Sequence, residues 1–159
     1  MKWIFRLLRN LSILAAVALL AGCAAMGVGD SVRVRMSGAE EIPPVKSHAS
    51  GSGTIRVEDD GSVSGSFKTQ GVSVLAAHVH EGAADQNGPV VIPLQKTGDN
   101  EWAVPPGAKL TASQLMRYRE GRLYVNFHSA QYKGGEIRAQ IRASTGGRKS
   151  DNGNGGSGY

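Results

Sequence analysis

The sequence predicts an all-β domain, an antiparallel sandwich or barrel carrying one short helix, and three observations predict it. Short segments of alternating apolar and polar residues recur along the middle of the chain. Turn residues separate them at regular intervals, in Asp59-Asp60-Gly61, Asn87-Gly88-Pro89 and Gly134-Gly135. Only one stretch, opening at Thr111, carries helix-start chemistry instead.

The opening strand spans 31–36, with Val32, Val34 and Met36 on one face and Arg33 and Arg35 on the other. Gly51-Ser52-Gly53 reads as punctuation before the next strand. Segments 54–57 and 63–67 flank Asp59-Asp60-Gly61, whose Asp-Gly pair suits a tight hairpin turn, so they pair directly. A strand over 73–80 follows, with Leu75, Ala77 and Val79 facing the core. A polar loop over 81–89 leads into a strand at 90–92, and Pro93 marks that strand as an edge or an interrupted one. Thr111-Ala112-Ser113-Gln114 has capping-box spacing, and Leu115, Tyr118 and Gly121 fit a short amphipathic helix ending at a glycine. The last strands are 123–128 and 136–143; Ile137, Ala139, Ile141 and Ala143 form the inward face of the second.

The ends of the chain differ from this middle. Lys2, Arg6 and Arg9 precede an apolar stretch from 11 to 20 and then Leu20-Ala21-Gly22-Cys23. Residues 1–22 resemble a bacterial lipoprotein signal with its lipobox, which implies cleavage before Cys23, lipidation of that cysteine, and a membrane anchor. Ala24, rather than aspartate, implies sorting to the outer membrane facing the periplasm in a cell with two membranes. Residues 23–30 are then a tether, 31–143 the globular domain, and 144–159 a disordered Gly-rich tail with too little apolar surface to fold. Loss of Lys2, Arg6 and Arg9 leaves 15 basic against 13 acidic residues and lowers the formal charge from +5 to +2. No basic run remains that would mark a nucleic-acid partner. Cys23 is the single cysteine, so no intramolecular disulfide forms and a blue-copper centre, which needs a cysteine thiolate, is excluded.

Three of the four histidines carry the candidate chemistry. His78 and His80 sit two residues apart on a strand and so emerge on one face, while His128 falls on the polar side of its own strand. Neutral imidazoles brought together in this way suit copper or zinc. Glu81 and Asp85 lie close enough in sequence to accept from ring N–H groups or to ligate. His48, in a Ser/Gly-rich segment, is the weaker fourth candidate. The competing reading is a hydrogen-bonded polar network in which the histidines join Asn126, Glu136, Arg138 and Gln140 in a structural or protein-interaction module. Other chemistries fail on spacing. Ser64 lies in a hairpin rather than at a nucleophile elbow, Asp59 and Asp60 suit a turn, and no glycine loop opens a helix to cradle phosphate.

With these residues laid out, the chain resembles the CHRD domain, a module named after chordin and found in bacterial secreted proteins. Glu41-Ile42-Pro43-Pro44-Val45, Ala77-His78-Val79-His80-Glu81-Gly82, Asn87-Gly88-Pro89-Val90, Tyr124-Val125-Asn126-Phe127-His128-Ser129 and Gly135-Glu136-Ile137-Arg138-Ala139-Gln140 carry the resemblance, in order. Tyr132-Lys133, Ser129 and Ala139 depart from its usual residues. The resemblance implies an immunoglobulin-like sandwich and no established activity. A more distant likeness links His78-Val79-His80-Glu81 to the copper strand of Cu,Zn superoxide dismutases, which are Greek-key sandwiches, but no zinc-loop histidines follow. The combined expectation is a non-enzymatic, lipid-anchored envelope domain binding copper or zinc through His78, His80 and His128, open to a protein partner.

Overall fold

The computed structural model describes residues 29–143. Nine strands follow in chain order: β1 (Asp30–Ser37), β2 (Ser50–Val57), β3 (Val63–Gln70), β4 (Val74–Glu81), β5 (Val90–Pro93), β6 (Gln95–Gly98), β7 (Glu101–Ala103), β8 (Leu123–Ser129) and β9 (Ile137–Ile141). The helix α1 (Ala112–Arg119) lies between β7 and β8, and a short 3-10 turn (Gly38–Glu40) follows β1. The expectations for the signal, for Cys23 and for the tail concern residues outside the described ones. Asp30, expected in the tether, instead opens β1 opposite Val57.

All nine strands join one antiparallel sheet in the order β5-β4-β8-β9-β1-β2-β3-β7-β6. The sheet doubles over on itself. Phe127 on β8 meets Phe67 on β3 with ring centroids 5.9 Å apart, and Trp102 on β7 at 6.1 Å. In a flat sheet with strands about 4.8 Å apart, partners four or five strands away would be roughly 19–24 Å apart. The two halves therefore face each other as layers of an all-β sandwich, with β1 and β9 meeting at the turn of the sheet through Ser37 and Arg138.

The core follows from the alternation. Val32, Val34 and Met36 are buried on β1, and Val125, Phe127, Ile137, Ala139 and Ile141 on β8 and β9. Gly61 closes the β2–β3 hairpin at φ +86°, while Asp60 accepts from Ser62 N at 2.9 Å, as its turn role requires. Thr111 and Gln114 form the reciprocal capping box of α1. Tyr118 anchors the helix to the core by donating its hydroxyl to Asp30 Oδ2 at 2.9 Å. β5 is an edge strand, as Pro93 requires.

Several boundaries differ from expectation. Gly51-Ser52-Gly53 lies inside β2, and its two glycines have no room for a side chain: a Cβ on Gly53 would fall on the Phe67 ring and 2.5 Å from the Ser66 carbonyl. Leu75 is 68 % exposed rather than core-facing, because the β4–β8 register shifts between Val74 and Ala76 and turns it outward. The final strand is shorter, Ile137–Ile141. β6 and β7 went unpredicted, and they contribute Trp102 to the core.

Candidate metal centre

The outer face of β4, β8 and β9 gathers the polar residues. Period-two alternation puts His78 and His80 on β4, Tyr124, Asn126 and His128 on β8, and Arg138 and Gln140 on β9 toward one side. Register then sets the rows: His80 lies opposite Tyr124 and Tyr124 opposite Gln140, while His78 lies opposite Asn126 and Asn126 opposite Arg138. His128 lies one row further along, opposite Ala76. The small side chain of Ala76 leaves the space beside His128 to His78.

The three histidines come together. Ring centroids are 5.0 Å apart for His78 and His128, 5.4 Å for His78 and His80, and 5.8 Å for His80 and His128. One nitrogen from each lies within 4.8 Å of the others, near enough for the three to hold a single ion. His48 is exposed and stays outside the cluster.

Hydrogen bonds decide which nitrogen each ring presents. His80 Nδ1 donates to the Gly88 carbonyl at 3.0 Å, and His128 Nδ1 donates to the Lys133 carbonyl at 3.1 Å. Each bond fixes the tautomer and leaves Nε2 with a lone pair. His128 Nε2 lies 3.1 Å from His78 Nδ1, and His80 Nε2 is buried with no partner. Bonds of about 2.05 Å to a tetrahedral ion put ligand nitrogens about 3.3 Å apart, close to the His78–His128 separation. Burial is the chief cause that lowers the pKa of all three imidazoles, and their proximity adds to it for His80 and His128. The rings are therefore held neutral, the state that ligates.

A buttress of polar residues holds the loop that orients His80. Tyr124 stacks on His80 with centroids 5.0 Å apart and planes 9° from parallel, and its hydroxyl accepts from Gly88 N at 3.0 Å. Arg138, 1 % exposed, lies with its guanidinium 3.7 Å from the Tyr124 ring centroid. It donates to the carbonyls of Ala83 and Gln86 at 2.9 and 3.1 Å, to Asn87 Oδ1 at 3.2 Å and to Gln140 Oε1 at 3.2 Å. Gln140 Nε2 in turn donates to the Gly82 and Gly121 carbonyls at 2.9 and 2.7 Å.

Some candidate residues lie elsewhere. Glu81 does not reach the histidines: the next residue along a strand faces the opposite way, and its carboxylate pairs with Arg117 of α1 at 3.5 Å. Asp85 is exposed in the loop. Glu136 sits at the margin, where it accepts from the Ser47 hydroxyl at 2.7 Å. The residue that sequence reasoning missed is Glu41, buried against Asn126 and facing Arg138. Its signal was its place in Glu41-Ile42-Pro43-Pro44-Val45, read there only as part of a resemblance.

The model of the CHRD domain family matches residues 32–141. The chain belongs to the CHRD domain family. That match runs from the third residue of β1 to the end of β9, and takes in the three histidines, Glu41 and the buttress. Neither a curated protein nor a solved structure matches the chain.

Proposed function

We propose that this CHRD domain binds one copper or zinc ion through His78 Nδ1, His80 Nε2 and His128 Nε2, as a non-enzymatic module of the cell envelope. The single observation carrying this reading is His80 Nε2, a buried nitrogen without a partner that shares its cluster with two further ring nitrogens. Three neutral imidazoles form a borderline donor set that suits both metals, and the Irving–Williams order favours copper. The backbone carbonyls of Gly88 and Lys133 supply the outer hydrogen bonds that orient metal-ligating histidines.

Titration of the metal-free protein with copper or zinc is expected to show one ion per chain and a rise in melting temperature. An ion at about 1,000 times its Kd adds about 4 kcal/mol of stability. Replacing His78, His80 and His128 together by alanine should abolish both effects, and binding of unchanged stoichiometry in that variant would overturn the reading.

A second reading is favoured by the same 3.1 Å contact, since it is also the length of a His78–His128 hydrogen bond. The face would then be a polar network in a structural or protein-interaction module. It leaves His80 Nε2 unexplained, and absence of metal binding in the titration would select it.

The envelope location rests on Leu20-Ala21-Gly22-Cys23. Labelled palmitate should enter the expressed protein and be lost in Cys23→Ser; equal labelling of the two would remove the lipid anchor from the reading.

A further inference from the structure

Glu41 holds a carboxyl group, 3 % exposed, just after the 3-10 turn that follows β1. Two buried polar atoms there have no hydrogen-bond partner, Glu41 Oε1 and Asn126 Oδ1. With Glu41 ionised, both are acceptors and neither can serve the other. Their companion atoms already meet, as Asn126 Nδ2 donates to Glu41 Oε2 at 3.4 Å. A proton on Oε1 makes that atom a donor toward Asn126 Oδ1, which closes a cyclic acid–amide pair and satisfies both oxygens at once. Gly135 packs its backbone over the pair. A Cβ there would lie 2.6 Å from Asn126 Oδ1 and 2.7 Å from Glu41 Oε1, so both oxygens crowd the same point beside the Gly135 backbone.

The surroundings of Glu41 are few. Arg138 on β9 is the charged group that acts on it, and Asn126 on β8 is its hydrogen-bond partner. His78 on β4 stands opposite Asn126, Glu40 precedes Glu41 in the chain, and Glu136 is engaged by Ser47. Burial outweighs Arg138 and Asn126 and pushes the carboxyl up to about 7.

We propose that Glu41 carries a proton shared with Asn126 in the metal-free protein and releases it to solvent when a cation occupies the three-histidine site. The release rests on the metal reading above; the acid–amide pair does not. His78 and Asn126 are direct neighbours across β4 and β8 and Glu41 bonds to Asn126, so the carboxyl stands one strand spacing and one hydrogen bond from the histidines, within roughly 10 Å. A divalent charge at that range in a protein interior lowers the carboxyl's midpoint by at least about one pH unit. By linkage, metal affinity then rises at least about tenfold as Glu41 ionises.

Infrared difference spectra of the full chain test both steps. At pH 6 without metal, a protonated-carboxyl C=O band is expected in the wild type and absent from Glu41→Gln, whose amide mimics the protonated pair and keeps the fold. Saturating zinc should weaken the band by about half or more, with up to one proton appearing in the buffer beyond those released by Glu41→Gln. No difference band at pH 6 overturns the acid–amide pair. A band of unchanged intensity under bound zinc overturns the coupling. Failure of zinc to bind at all overturns both the metal reading and the coupling, while the band upholds the pair.

Discussion

Arg138→Ala is expected to destabilise the domain by about 3–5 kcal/mol, read as a fall in the urea midpoint. Its guanidinium fills buried space beside Tyr124 and donates to four acceptors, two of them backbone carbonyls of the 82–88 loop. Truncation removes that packing and strands those acceptors together. Arg138→Met separates the two causes, because it retains most of the volume and none of the donors. It should recover part of the stability. Metal affinity should not recover with it: the loop supplies Gly88, whose carbonyl orients His80, and loss of such an outer partner costs about 10–100-fold in affinity. If both variants bound metal like the wild type, the buttress would be structural only.

Alternation made much of this fold legible, because an inward apolar residue every second position is what a half-buried strand requires. β1, β8, β9 and the 76–80 stretch of β4 obey it, and so His78, His80 and His128 read as residues of the polar faces. The turn at Gly61 and the Thr111 capping box were legible because their chemistry is local. Where alternation lapses, the reading lapses with it. β6 is exposed along most of its length and shows no apolar period, so it and its partner β7 gave no signal. Leu75 was misplaced by a register shift that sequence period cannot register. Arg138 was correctly put on the polar face, yet that face is roofed by a loop more than 50 residues away in sequence, so its burial was invisible. Glu41 is 85 residues from Asn126, and only the folded sheet reveals the pair.

That pair makes stability depend on pH in a direction unusual for a carboxylate. Glu41 has a folded-state pKa of about 7 against an ordinary 4.5, so the native state holds its proton more tightly than the unfolded chain does. Its contribution is therefore full below about pH 4.5 and is lost as pH rises toward and through 7. The total is on the order of 3 kcal/mol, from a shift of about 2.5 pH units at 1.36 kcal/mol each. The three histidines work the other way: their lowered pKa values weaken the fold as pH falls through the imidazole range. A stability profile of the wild type alone would mix the two. Glu41→Gln isolates the carboxyl, since the amide cannot ionise while the histidines are untouched. Measured by urea unfolding without metal, the two proteins should be closest in stability near pH 4.5 and diverge above it. By pH 8 the variant should be the more stable by about 3 kcal/mol relative to that starting difference. Parallel profiles from pH 5 to 8 would show that Glu41 is ionised throughout, and that Arg138 and Asn126 outweigh its burial.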